Sequence, residues 1–163
     1  MRDLYELAED KTGKYSVPIF WDKKLNTIVS NESSEIIRFL NSEFNDFAQN
    51  PDLDLNPKAL QKKMASVDGW IYDNINNGVY KCGFAQSQGA YNNAIKSFTD
   101  HMEKLDRHLA DKKFLTGDQF TLSDIRLFQT LIRNDEVYVV YFKCDTRKVS
   151  EYPNIFRYCT DVW

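Results

Sequence analysis

The segment FLTGDQFTLSDIRLFQTLIR, residues 114–133, contains a turn, a helix start and a helix in succession. Phe114 to Asp118 carries Thr-Gly-Asp, a connecting loop. Thr121-Leu122-Ser123-Asp124 has the spacing of a capping box, with Asp124 in place of the usual Glu. Thr121 is placed to accept from the backbone N–H of Asp124, and Phe120 to staple onto Ile125. The apolar run from Ile125 to Ile132 predicts a buried central helix. Upstream, Ala94, Phe98, Met102, Leu105 and Leu109 recur at steps of four and three, as do Leu60, Met64, Val67, Ile71 and Ile75. Each set marks one face of an amphipathic helix. Asn76-Asn77-Gly78 marks a stop or kink between them. Downstream, Pro153 opens a last helix, with Ile155, Phe156, Cys159 and Val162 expected to face inward.

The first 43 residues follow a different pattern. Leu4 to Ala8 reads as the end of a helix that Gly13 breaks. Val17-Pro18-Ile19-Phe20-Trp21 reads as a short strand with a proline near its start, where the missing N–H is tolerated. Asp22 to Asn26 is a polar turn, and Thr27-Ile28-Val29-Ser30 is a second strand, so the two predict a hairpin. Asn31 is placed to cap a following helix with Ile36, Ile37 and Leu40 as its apolar stripe. Asp46 to Pro57 carries two prolines and several Asx residues, a loop composition. The expected layout is mainly α: a β-hairpin plus helix over 1–43, a linker over 44–57, and an all-helical domain over 58–163.

Composition narrows the function. With 42% hydrophobic and 28% charged residues, 6 Gly and 4 Pro, the chain is neither disordered nor collagen-like. No run approaches the roughly 20 apolar residues of a membrane span. The opening MRDLYELAEDK is acidic where a signal peptide is basic, so a cytoplasmic location is expected. Lys and Arg number 21 against 24 Asp and Glu, a formal charge of −3, which argues against nucleic acid. The pairs Lys62-Lys63 and Lys112-Lys113 read as solvated helix faces. The 3 cysteines, Cys82, Cys144 and Cys159, form an odd set without C-x-x-C, so neither a disulfide framework nor a zinc site is expected. His101 and His108 stand seven apart and read as exposed helix residues rather than metal ligands. No G-x-S-x-G, P-loop or H-E-x-x-H occurs.

Three smaller features carry possible chemistry. Before Pro18 the chain is held extended, and a cis bond there turns the backbone N–H and C=O of Val17 toward a peptide-like ligand; an ordinary edge proline is the alternative. Glu32 and Ser33 start a helix, whose free N–H groups and partial positive charge suit a carboxylate. Ser33 adds a hydroxyl and Glu32 a charge for an ammonium, which together suit an α-amino acid head group; simple capping is the alternative. Tyr80 and Tyr138 lie near helix breaks, where phenols bond an aromatic ligand's oxygen and the rings pack on its face; partly buried core tyrosines are the alternative.

Longer strings carry a resemblance. VPIFWDKKLNTIVSNESSEIIRFLN (17–41) is similar to the later half of the thioredoxin-like domain of the glutathionyl-hydroquinone reductases, the Xi-class, omega-like glutathione transferases. INNGVYKCGFAQSQGAY (75–91), the 114–133 segment, VYVVYFKC (137–144) and EYPNIFRY (151–158) resemble the helical domain of that family. The resemblance implies the two-domain glutathione-transferase fold and glutathione-dependent reduction of glutathionyl-hydroquinones. In the family a cysteine of a Cys-Pro motif takes glutathione off the substrate as a mixed disulfide, and a second glutathione frees the thiol. By resemblance Val17 and Pro18 meet the cysteinyl backbone of glutathione, Glu32 and Ser33 hold its γ-glutamyl group, and Tyr80 and Tyr138 line the hydroquinone pocket. Glutathione is then the cosubstrate, with no covalent cofactor, and the partners are glutathione, small aromatic hydroquinone conjugates and a second copy in a homodimer.

The chain departs from the pattern in places. The Cys-Pro motif has no counterpart, so the resemblance supplies no catalytic residue and implies an inactive fragment shortened at both ends. Arg133-Asn134-Asp135-Glu136 stands where Arg-Phe-Asp-Pro is usual, and Tyr141 where His is usual. Two further readings are a non-catalytic binding or scaffold module, and a displaced nucleophile at Cys82 or Cys144.

Overall fold

The computed structural model describes residues 1–144 and 147–163. The chain divides into two compact units, Met1–Asp54 and Leu55–Trp163.

In the first unit, helix α1 (Arg2–Leu7) ends where Glu9 turns left-handed at φ 56°, before Gly13 is reached. The helix therefore ends at the Ala8 cap and the left-handed Glu9, well before the glycine. The hairpin forms from β1 (Phe20–Asp22) and β2 (Thr27–Ser30), paired antiparallel as Phe20↔Ser30, Trp21↔Ile28 and Asp22↔Thr27, with a register shift between Phe20 and Trp21. The first strand is shorter than the apolar pattern suggests: Pro18 has no N–H to donate, and pairing begins two residues later. Asp22 makes the turn by accepting from the backbone N–H of Lys24 (2.7 Å) and Leu25 (2.9 Å). Helix α2 (Ser33–Ser42) follows, with Glu32 as N-cap and no side-chain cap. Asn31 does not cap it; its amide donates to the Tyr5 phenol at 3.1 Å. Ile36 is buried, but Leu40 is 48% exposed. Phe39, which the expected stripe did not include, packs instead, its ring 4.9 Å from Phe20. A three-residue 3-10 turn occupies Asn45–Phe47.

The second unit is helical, as its periodicity predicts. Helix α3 (Gln61–Ile71) runs into a π-helical turn (Tyr72–Asn76) and then α4 (Gly78–Gly83), so Asn76-Asn77-Gly78 marks a change of pitch. Helix α5 (Gln88–His108) buries Phe98, Met102 and Leu105, with Leu109 just beyond its end; each is worth about 1.5–3 kcal/mol of burial. Helix α6 (Leu122–Arg133) starts at the expected capping box, and a second π-helical turn (Asn134–Tyr138) leads to α7 (Val139–Phe142). A 3-10 turn (Val149–Glu151) precedes α8 (Pro153–Val162), which has its proline in the first turn.

Burial corrects two expectations. Helix α6 is buried along Leu122, Leu127 and Leu131, but Ile132 is 42% exposed, so one face and not the whole run meets the core. On α8 Phe156 is 53% exposed, while Tyr158 is fully buried and its hydroxyl reaches Asp124 Oδ1 at 3.2 Å. Side chains join the helices at defined points. Arg126 on α6 pairs with Asp68 on α3 at 3.1 Å. Asn76 donates to the Arg126 carbonyl (3.0 Å) and to Thr130 Oγ1 (2.6 Å). Glycine is required at the end of α4: a Cβ on Gly83 would lie 2.4 Å from the Phe142 ring. Among the described residues, no helix is long and apolar enough to cross a membrane.

Candidate functional site

The Val17–Pro18 peptide bond in the first unit is cis, and Val17 is 69% exposed. Glu32 and Ser33 stand at the start of α2, both exposed. The Glu32 carbonyl accepts from the N–H of Glu35 and of Ile36, each at 3.0 Å, leaving the Ser33 and Ser34 amides at the helix end. Ser30 Oγ accepts from the Glu32 N–H at 3.1 Å and donates to Glu35 Oε2 at 2.9 Å. The Glu32 carboxylate takes part in no ion pair among the described residues. A negative side chain beside two amides that have no partner among the described residues is an arrangement that can receive an amino acid head group.

One residue that sequence reading missed ties these features together. Tyr5 is 1% exposed, and its hydroxyl donates to the Ser16 carbonyl at 2.9 Å. The same oxygen accepts from the Ser16 N–H (3.3 Å) and from the Asn31 amide (3.1 Å). Hydrogen bonds with Ser16, then Asn31, hold the phenol below its ordinary pKa. Tyr5 thus links the residue before Val17 to the residue before Glu32. Its partners lie 11 and 26 positions away, so nothing in the local sequence announces it.

In the second unit Tyr80 and Tyr138 meet: their hydroxyls are 3.3 Å apart and their rings lie edge to face at 5.8 Å. Tyr80 follows the first π-helical turn, and Tyr138 closes the second. Such turns insert an extra residue and re-aim the side chains that follow. Tyr138 is buried, whereas Tyr80 is 43% exposed. Phe84 stacks on Tyr80 at 6.1 Å, and Phe142 packs against both tyrosines at 5.5 Å. Burial, then the bond with Tyr80, pushes the Tyr138 phenol up to about 12, so it remains a neutral hydroxyl at physiological pH. The pair offers hydroxyls and aromatic surface to a ring that carries oxygen.

A polar hollow of about 440 Å³ is lined by Cys82, Gln86, Ser87, Tyr91, Tyr141 and Phe142. Cys82 is 4% exposed; a hydrogen bond with Cys144 lowers its pKa, against the opposing effect of burial. Lys81, its sequence neighbour, is engaged elsewhere, its Nζ 2.7 Å from Asp73. Cys144 is fully buried. Burial, with Asp135 adding to it, pushes Cys159 up to about 12. The histidines are half-buried and not exposed as expected: His101 Nδ1 bonds the Ser97 carbonyl (2.7 Å) and His108 Nε2 the Leu115 carbonyl (2.9 Å). Both rings lie against Trp70 at 6.1 Å. Among the described residues no group of three or more His, Cys, Asp or Glu side chains is placed to hold a metal.

Residues 88–161 match the family described as glutathione S-transferase, C-terminal domain. The chain is 47% identical to glutathionyl-hydroquinone reductase YqjG of Escherichia coli (strain K12) over 152 residues, 93% of this chain and 46% of that protein. It is 43% identical to glutathionyl-hydroquinone reductase PcpF of Sphingobium chlorophenolicum over 146 residues, 90% of this chain and 46% of the relative. The fold is similar to the crystal structure of glutathione-S-transferase Xi from Phanerochaete chrysosporium, with a TM-score of 0.93 and 43% identity over 99% of this chain and 56% of that one. It is also similar to the glutathione-bound structure of YqjG, with a TM-score of 0.91 and 45% identity over 99% and 52% of the two chains. The chain spans about half the length of the curated relatives it matches.

Proposed function

Because the chain belongs to the Xi-class, omega-like glutathione transferases that include the glutathionyl-hydroquinone reductases, we propose that it binds glutathione and serves the glutathione-dependent reduction of glutathionyl-hydroquinones to free hydroquinones. The observation that carries this reading is the 47% identity to a glutathionyl-hydroquinone reductase across 93% of the chain. The exposed Glu32 and Ser33 at the start of α2 support it as the γ-glutamyl contact, with Val17 and Pro18 facing the cysteinyl backbone. Tyr80 and Tyr138 support it as the surface for the hydroquinone ring: paired phenol hydroxyls can donate to and accept from ring oxygens.

No residue among these 163 is assigned as nucleophile. Cys82 and Cys144 are buried, and Cys159 has a strongly raised pKa and so carries little thiolate at neutral pH. The reading therefore concerns binding of the cosubstrate and of the aromatic conjugate, with a thiol outside these residues receiving the glutathionyl group.

A calorimetric titration of the chain with reduced glutathione tests it. Saturable binding is expected, and Glu32→Ala is expected to weaken it by about tenfold, the loss of one charge-assisted contact. A folded chain that takes up no glutathione overturns the reading and favours a non-catalytic scaffold.

A further inference from the structure

The lysine pairs at 62–63 and 112–113 read in sequence as solvated helix faces; Lys62 and Lys63 are indeed exposed on α3, while Lys112, half-buried beyond the end of α5, joins them at one hollow. Lys62 and Lys63 lie in the first turn of α3, which holds no acidic residue. His108 closes α5, and Lys112 follows four residues later. Residues about fifty positions apart thus come to one hollow of about 380 Å³ in the second unit, lined by Lys62, Lys63, His108 and Lys112. Ser66 and Thr116 add hydroxyls to its wall, and its floor is apolar, with Val67 and Leu115 buried.

Charge balance does not account for this cluster. Lys62 and Lys63 enter no ion pair among the described residues. The carboxylate paired there is Asp111, which meets Lys112 at 2.7 Å from an 81% exposed side chain. Lys112 also donates to the His108 carbonyl at 3.0 Å, which fixes its stem beside the hollow. Two lysines at a helix N-terminus add positive charge to the positive end of the peptide dipoles, an arrangement that an anion relieves. The chain as a whole carries a net charge of −3, so the concentration of positive charge is local.

We propose that this hollow is a binding site for a small organic phosphate monoester, separate from the residues assigned to glutathione and hydroquinone. The ammonium groups and hydroxyls take the phosphate oxygens, and the Val67–Leu115 floor takes a small apolar body. The volume lies within the usual range for small-molecule sites, roughly 300–1,000 Å³. A long polyanion fits less well, because the basic residues line one concavity and not an extended stripe.

Phenyl phosphate is the probe, with the backbone amides of the chain followed by nuclear magnetic resonance. Saturable shifts are expected at Ser66 and Thr116. Inorganic phosphate is expected to compete them away, and phenol at the same concentration to leave them unmoved. Lys62→Ala with Lys112→Ala is expected to weaken binding by about tenfold or more, while Lys23→Ala in the other unit changes nothing. Circular dichroism checks that the double variant folds; if it does not, competition by inorganic phosphate on the unaltered chain decides. Shifts that never saturate, that sodium chloride reproduces at matched ionic strength, or that glutathione produces equally well overturn the proposal.

Discussion

Tyr5 shows how one hydroxyl can tie together the two segments that carry the proposed glutathione contacts. Its oxygen meets four hydrogen-bonding groups from two segments, the Ser16 carbonyl, N–H and hydroxyl and the Asn31 amide. Tyr5→Phe keeps the ring and removes only the hydroxyl, leaving those groups to find other partners. The expected outcome is weaker glutathione binding in calorimetry together with a lower melting temperature, although Glu32, Ser33 and Val17 are untouched. Unchanged affinity would show that the segments carrying Val17 and Glu32 hold their positions without the phenol. The capping box at Thr121 is the opposite case at this scale. Its partners are three residues apart, and both the Thr121 N–H and Oγ1 reach Asp124 Oδ2 at 2.8 Å. Local contacts are legible because the spacing itself sets the geometry; Tyr5 is illegible because its contacts exist only after the hairpin has folded.

Helix α8 depends on a cap that comes from another helix. Asp106 on α5 accepts from the N–H groups of Asn154 (2.9 Å) and Ile155 (3.0 Å) and from the Asn154 amide (3.0 Å). Tyr152, the local N-cap, supplies no side-chain bond. Asp106→Ala is expected to destabilise the second unit by about 1–2 kcal/mol in denaturant unfolding, with Asp106→Asn recovering part of the loss. A loss of a few tenths would show that solvent satisfies the α8 amides equally well. The helices themselves were readable: Leu60 to Ile75 and Ala94 to Leu109 keep the helical period through to buried positions such as Met64, Ile75, Phe98 and Leu109. Their joints were not. The π-helical turns at Tyr72–Asn76 and Asn134–Tyr138 shift the phase by one residue, and periodicity cannot separate that from a kink. Phase at the chain end was equally hard to read. Burial of Tyr158 in place of Phe156 follows from the bond that its hydroxyl makes to Asp124.

Across the whole chain, buried phenols predict a response to alkali. Burial raises the pKa of Tyr138, Tyr152 and Tyr158. A raised phenol pKa means that folding favours the neutral hydroxyl. The stabilisation is therefore complete below the ordinary value near 10 and is lost as pH climbs through it toward about 12 for Tyr138. The melting temperature is expected to fall steeply over that window, and Tyr138→Phe to make the fall shallower, since lysine deprotonation is common to both proteins. Equal slopes would show that Tyr138 ionises without cost to the fold. By itself the sequence determined the mainly helical class, the hairpin, the buried faces of α3 and α5 and the family, because each rests on local periodicity, turn chemistry or strings of residues. Tertiary structure alone decided that Tyr80 meets Tyr138 58 positions away, that Tyr5 bridges two segments, and that Lys62 and Lys63 share one hollow with Lys112. Those contacts cross loops whose path no local pattern specifies, and they arise when helices pack to bury their apolar faces.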